Sequence, residues 1–313
     1  MKSRLEHSKP VIFFLASRPK FLPAGIAPVL VGSALAFASA QTFSLPLFTL
    51  ALLAIIFLHS GANITNDYFD HTSGNDWLNK NPTPFSGGRR FIQNNILSPS
   101  QTLTAALVTL AVGSAVGLVI IALTKSIFIL LLGLAGLLGG YFYTASPFRL
   151  GYRCFGEFII AALFGLLPVY GSYYLQTQTL DTTPLLPACI VSILIFLVIL
   201  INEFPDADAD AAVNKKTLVV RFGAPAAAWI YRITLIASYV IAVAILILPD
   251  SGGMFFAGLF YLFTFPLAVF AIKCANPKDL AVPGQYRANQ TTVLLHTIGT
   301  LSLAAGFITS TVC

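Results

Sequence analysis

The chain has 313 residues, of which 57% are hydrophobic and only 10% charged, with a formal net charge of +6. Its mean hydropathy is +0.82, and so few charges exclude a large water-soluble domain. The composition specifies an integral membrane protein, read as a single domain over 1–313.

The first twenty residues are basic and lack a small-residue cleavage site after a short apolar run, so they are expected to stay on the mature protein rather than leave as a signal peptide. Nine long apolar runs follow, at residues 21–40, 46–65, 101–123, 126–146, 155–176, 183–204, 223–247, 251–273 and 289–311. About 20 apolar residues cross a bilayer as a helix, and runs such as Leu107 to Leu123 are continuously apolar rather than alternating, which argues against a β-barrel. The predicted fold is all-α, a polytopic helical bundle of about nine transmembrane helices in two related four-helix halves plus one. Cys154, Cys189, Cys274 and Cys313 are scattered without a CxxC pair, so neither zinc nor a disulfide framework is indicated.

Lysine and arginine give the orientation. Sixteen of the 18 fall in residues 1–20 and in the connections 66–100, 147–154, 203–222 and 273–290, all on one side if nine spans are present. Positively charged loops stay cytoplasmic, so the amino terminus and this face are predicted to be cytoplasmic. The one-sided field suits anionic membrane lipid or an anionic substrate, and no nucleic acid partner is expected.

Eight of the 12 carboxylates, Asp67, Asp70, Asp76, Glu157, Glu203, Asp206, Asp208 and Asp210, fall in three connections on that same side. Asn63, Asn66, Asp67 and Asp70 follow the second run at helical spacing and share a face if the helix continues through them. Gly74 is a plausible stop that lets Asp76 fold back. After the sixth run, Asn202, Asp206 and Asp210 recur at steps of four, Glu203 lies beside them, and Asp208 falls on the other side. Basic residues follow each cluster: Lys80, Arg89 and Arg90 after the first, Lys215, Lys216 and Arg221 after the second. Like charges at these spacings repel, and facing helices would worsen the conflict. A divalent cation resolves it, and Mg2+ fits an all-oxygen site completed by substrate phosphates. Acids and cations together at the mouth of a lipid-facing cavity suit a prenyl diphosphate.

These residues resemble the UbiA superfamily of intramembrane prenyltransferases. The first cluster is similar to its NDxxDxxxD signature and the second to its DxxxD signature. Within the superfamily the chain most resembles the 1,4-dihydroxy-2-naphthoate polyprenyltransferases of menaquinone biosynthesis. The likeness also rests on Arg18-Pro19-Lys20-Phe21-Leu22-Pro23, Tyr143-Thr144 with Pro147, Gly156-Glu157 and Lys215-Lys216-Thr217-Leu218. Departures are Gly74 at the third acidic position, Pro205 before Asp206, Asn214 before Lys215, and Cys154-Phe155 before Gly156.

The resemblance implies magnesium-dependent transfer of a polyprenyl group from its diphosphate to an aromatic acceptor, 1,4-dihydroxy-2-naphthoate or another quinone precursor. It implies metal ligation by Asp67, Asp70, Asp206 and Asp210, with Asn63, Asn66 and Asn202 ligating or orienting. Asp76 would join through water or take part in acceptor deprotonation. Lys215, Arg90, Lys80 and Arg149 would grip phosphate oxygens, and Tyr143, Tyr141 and Phe69 would shield an allylic cation.

Other readings of the same residues are weaker. Asp206, Asp208 and Asp210 mimic the opening of an EF-hand, but Ala211 and Thr217 stand where Gly and Glu are required. His59 and His296 lie inside apolar runs, where a lone histidine more often bonds a neighbouring helix than a cofactor. Glu157 could pair with Arg153 one turn away. A secondary transporter, the rival class, would place its polar groups near mid-membrane rather than at one end of the spans.

Overall fold

The computed structural model describes residues 8–248, 253–280, 282 and 284–312. The expectations for the extreme amino terminus and for Cys313 lie outside the described residues.

The helices are α1 Lys9–Ala16, α2 Pro23–Ala40, α3 Leu45–Thr72, α4 Asn75–Leu78, α5 Pro99–Thr124, α6 Ile127–Phe142, α7 Gly156–Ala161, α8 Leu167–Thr177, α9 Leu185–Glu203, α10 Ala207–Ala212, α11 Leu218–Ile247, α12 Met254–Leu262, α13 Phe265–Cys274, α14 Pro277–Leu280 and α15 Arg287–Thr309. Among the described residues there is no strand, only an isolated parallel bridge between Arg153 and Lys216.

Over their described residues all nine apolar runs are helical, and seven or eight of them have the length and composition of a full span. Seven helices are long and apolar enough to cross a membrane, counting α7 and α8 as one span, and α12 with α13, bent by 45°, supplies an eighth. The remaining run forms α6, whose 16 residues rise only about 24 Å against a hydrocarbon core of about 30 Å. The chain is thus an integral, multi-pass membrane protein. Large apolar side chains face outward in helical stripes, Leu107, Val108, Leu118 and Val119 on α5 and Ile233, Ile236, Val240, Val243 and Ile247 on α11. A soluble bundle would bury such stripes; here they meet lipid.

Between helices, small residues replace the hydrophobic driving force that lipid removes. Leu110 of α5 sits in the notch left by Gly61 of α3, and Leu58 of α3 fills the reciprocal notch at Gly113 of α5. Gly32 of α2 lies so close to α8 that a Cβ would come within 2.1 Å of the Val169 carbonyl. α9 is the most buried spanning helix, and its inner face, including Ile190, Leu194, Leu197 and Ile201, anchors the main core with α2, α11 and α15.

Three local breaks shape one end of the bundle. Pro168 has no N–H for the carbonyl one turn earlier, and the span relaxes into a π turn at Ala162–Leu166 between α7 and α8. α9 stops at Glu203, and a turn through Phe204 and Pro205 precedes α10. Gly223, at φ +81°, kinks α11 just before Pro225. Arg232, inside the seventh apolar run and an exception to the charge asymmetry, reaches the Ala275 carbonyl after α13 at 3.2 Å and stacks over Trp229. A cation there satisfies the carbonyl end of a helix.

Candidate active site

α3 runs unbroken through the first acidic cluster to Thr72, so Asn66 and Asp70 stack one turn apart and the amide donates to the carboxylate at 2.6 Å. Gly74, at φ +84°, then turns the chain into α4, which buries Asn75 and Asp76 against the same site. The second cluster differs from the expected continuous stripe. Asn202 lies on α9, Asp206 in the turn, and Asp210 on α10, because Pro205 cannot continue the ladder.

The two clusters nevertheless meet. Asn75 Nδ2 donates to Asp210 Oδ1 at 2.7 Å, Asn79 Nδ2 donates to Asp206 Oδ1 at 2.7 Å, and Gly87 N–H donates to Asp206 Oδ2 at 3.2 Å. Gln93 Nε2 donates to Asp76 Oδ2 at 2.9 Å. Lys215 Nζ lies 3.2 Å from Asp210 Oδ1.

These groups open onto one cavity of about 170 Å³, smaller than the roughly 300–1,000 Å³ of a typical small-molecule site. In this conformation it accommodates a head group rather than a long chain. Asp70, Asp76, Asp206, Asp210, Asn63, Asn66, Asn202, Lys215 and Tyr143 line it. Its deeper wall is apolar, with Ile160, Phe164, Ile195 and Val198. Four expected residues stand elsewhere. Asp67 does not line the cavity and is ion-paired with Arg18 at its edge. Arg90 donates to the Asn79 carbonyl at 3.1 Å, bracing the loop that holds Asp206. Arg149 stacks over the Tyr152 ring, and Lys80 is exposed; neither lines the cavity. Asp208 is exposed, as expected of a residue on the other side of its turn.

Electrostatics at the mouth oppose full ionisation. Burial, reinforced by Asp70 and Asp67, pushes the Asp76 carboxyl up to about 8. Burial with Asp210 raises Asp206 to about 6. Burial alone would lower Lys215, but Asp210 and Asp70 outweigh it and hold the ammonium well above its usual value. The site thus combines acids short of counter-charge with one firmly charged cation.

Among the described residues no three His, Cys, Asp or Glu side chains close into a ready-made metal cage. The cavity instead presents buried carboxylate oxygens without partners, Asp70 Oδ1, Asp210 Oδ2 and Glu203 Oε2. Such oxygens suit a hydrated Mg2+, which usually takes one or two carboxylates and completes its shell with water and phosphate. The residues present therefore fit the ion.

Several site residues escaped the sequence reading. Arg18 was noted only as part of a motif, and Asn75, Asn79 and Gln93 carried no periodic signal. The Ser86-Gly87-Gly88 turn was readable as a turn but not as a wall of the site; an ideal Cβ at Gly88 would lie 3.1 Å from Asp67 Oδ1 and 3.2 Å from Asp76 Oδ2. Glu157 does not pair with Arg153. Its Oε1 accepts the Leu218 N–H at 2.6 Å, while Arg153 Nε donates to the Phe148 carbonyl.

Two Asp clusters, 135 residues apart across the Asn75–Asp210 bond, thus share a cavity at one end of a membrane bundle, and the UbiA prenyltransferase family model matches residues 25–307. The chain belongs to the UbiA prenyltransferase family. It is similar to 1,4-dihydroxy-2-naphthoate octaprenyltransferase of Haemophilus influenzae, 32% identical over 228 residues covering 71% of this chain and 72% of the relative. The enzyme of the same name from Mycobacterium leprae is 32% identical, covering 74% of this chain and 76% of the relative. In structure the chain resembles a UbiA homolog from Archaeoglobus fulgidus bound to GPP and Mg2+, with a TM-score of 0.71 at 17% identity, over 95% of this chain and 99% of the other. As a UbiA member, the protein is a prenyltransferase.

Proposed function

We propose that this UbiA enzyme transfers a polyprenyl group from its diphosphate to 1,4-dihydroxy-2-naphthoate, with Mg2+ as cofactor, at a site facing the cytoplasm. The observation that carries the reading is the convergence of Asp70, Asp76, Asp206, Asp210 and Lys215 on one cavity with an apolar floor. The names of the naphthoate relatives support the acceptor, and the GPP- and Mg2+-bound neighbour supports the donor and the ion. The sixteen cations, which share one side when the short apolar helix α6 is counted as a ninth crossing, support the cytoplasmic assignment.

Asp70 and Asp210 would hold the ion through their unpartnered oxygens, with Asp206 beside them and Asp67 once released from Arg18. An ion held by these residues would supply positive charge against the charge that grows on the diphosphate as the allylic C–O bond breaks. Lys215 binds phosphate oxygens and keeps its proton against burial. Arg18 lines the same cavity and stands ready to take a phosphate contact when it leaves Asp67. Asn66 orients Asp70, Asn75 orients Asp210, and Asn79 with Gly87 orients Asp206. Tyr143 and Phe164 exclude water from the allylic carbon, whose electron deficiency is met by the aromatic carbon of the acceptor in the new C–C bond. The ring proton lost from that carbon leaves to an acceptor among the mouth carboxylates; Asp76, whose pKa is held up to about 8 by burial and by Asp70 and Asp67, becomes a competent base as pH rises.

The test is turnover by the purified protein with several prenyl diphosphates against a panel of aromatic acceptors, with magnesium and with chelator. Naphthoate is expected to be the preferred acceptor, and chelator, Asp70→Asn or Asp210→Asn to reduce turnover at least a hundredfold. Undiminished turnover in chelator would remove the metal from the mechanism, and preference for another ring would remove the acceptor assignment.

A further inference from the structure

We infer that an open groove outside the catalytic cavity, formed by Arg153, Lys216 and Arg221 with Tyr152, Asn214 and Phe155, binds the phosphate of an anionic phospholipid. Tyr152 separates the two sites: its ring lies 5.9 Å from the Lys215 ammonium that lines the cavity, and its carbonyl accepts the Lys216 N–H at 3.2 Å on the groove side.

The cations of the groove differ from those around the catalytic cavity, being gathered in one place without acidic partners among the described residues. Arg18 and Lys215 pair with acids, Arg89 donates to the Leu15 carbonyl, Arg90 to that of Asn79, and Lys20 covers the rings of Phe21 and Phe85. Lys216 and Arg221 make no side-chain hydrogen bond or ion pair among the described residues, and Arg153 uses only Nε, leaving the guanidinium fork free. Three like charges gathered in one groove repel unless an anion joins them.

The backbone beneath them is fixed rather than loose. Residues 153 and 216 form the bridge between their two segments, and Glu157 holds the next turn through the Leu218 N–H. The rim is apolar and open: Phe155 is 67% exposed and Phe222, next to Arg221, is 55% exposed. Cations beside bare aromatic rings mark the headgroup level of a membrane, where the phosphate meets the cations and the acyl chains meet the rings. A free phosphate satisfies only the first half of that surface, so a lipid is the occupant.

The full-length protein is purified in detergent, and retained lipid is counted by native mass spectrometry after addition of phosphatidylglycerol, phosphatidylcholine or inorganic phosphate. We expect one tightly held phosphatidylglycerol per chain and none of phosphatidylcholine. Lys216→Gln with Arg221→Gln, which removes no intramolecular contact, is expected to weaken retention by about thirtyfold at roughly 1 kcal/mol for each cation, with prenyl transfer in lipid-free detergent unchanged. Phe222→Ser should weaken lipid retention while leaving folding intact. Equal retention of both lipids, undiminished retention by the double variant, or displacement of the lipid by millimolar inorganic phosphate would overturn the proposal. Because prenyl transfer is not the readout, it stands or falls apart from the acceptor assignment.

Discussion

Asn75 and Asp210 are joined by a 2.7 Å hydrogen bond, and with it the loop after α3 is tied to the helix after α9. The amide occupies Oδ1, which Lys215 also approaches at 3.2 Å, so Oδ2 is left free toward the cavity. An oriented carboxylate binds a metal better than a rotating one. Asn75→Ala should therefore lower activity by about 10–100-fold and raise the magnesium concentration for half-maximal rate, with a stability loss of about 1–3 kcal/mol from the buried bond. Steady-state assays across a magnesium titration check it, and an unchanged magnesium dependence would count against an orienting role.

Arg18 and Asp67 form a second relationship with an opposite signature. Both side chains are largely covered, at 14% and 9% exposure, so removing the cation strands a buried carboxylate, a loss of about 3–5 kcal/mol. Arg18→Gln is expected to lower the melting temperature of the magnesium-free protein by several degrees. Adding magnesium with a non-hydrolysable prenyl diphosphate analogue should restore much of the loss, because the released Asp67 gains a new counter-charge. A melting temperature that falls equally with and without the ligand would show that the pair serves only the fold.

How far the sequence reached can be judged from these residues. Asn66 and Asp70 were legible because an unbroken helix converts a spacing of four into a shared face. Asp210 was legible as an acid but not as a partner of Asn75, since nothing in the local pattern encodes a bond across 135 residues. Asp67 looked equivalent to Asp70; only the tertiary position of Arg18, which stands at φ +54° just ahead of α2, turns one inward to the cavity and the other into an ion pair. The family resemblance assigned Lys80 and Arg149 as phosphate ligands; Lys80 is exposed and Arg149 stacks over Tyr152, and neither lines the cavity. Helix length was legible only in part for a similar reason: hydropathy reports that residues 126–146 are apolar, but the helix within them ends at Phe142.

The mouth carboxyls give a pH dependence with a definite sign. Asp76 is raised to about 8, by burial and then by Asp70 and Asp67, and Asp206 to about 6, by burial and then by Asp210. A carboxyl whose folded pKa lies above its unfolded value of about 4 favours the folded state while protonated, and that stability is lost as pH rises through the folded pKa. The magnesium-free protein should thus melt at a lower temperature at pH 8.5 than at pH 5.5. Magnesium competes with those protons, so its affinity should rise over the same interval and its stabilising effect should be largest at pH 8.5. Thermal scans at fixed ionic strength, with magnesium and with chelator, check both signs; a chelated protein that gains stability toward pH 8.5 would contradict the raised values.

Gly74 and Gly88 separate backbone strain from site geometry. Both stand at positive φ, +84° and +69°, but an added Cβ at Gly74 meets nothing within 4 Å, whereas at Gly88 it lies 3.1 Å from Asp67 Oδ1 and 3.2 Å from Asp76 Oδ2. An alanine in the left-handed region costs about 1–2 kcal/mol at either position. Gly74→Ala and Gly88→Ala should therefore lose similar stability, while only Gly88→Ala forces two carboxylates apart and loses activity, by at least tenfold. The comparison is read from melting temperature beside the specificity constant for the prenyl diphosphate. Equal activity in the two variants would mean that the Gly88 turn merely passes the acids without setting their positions.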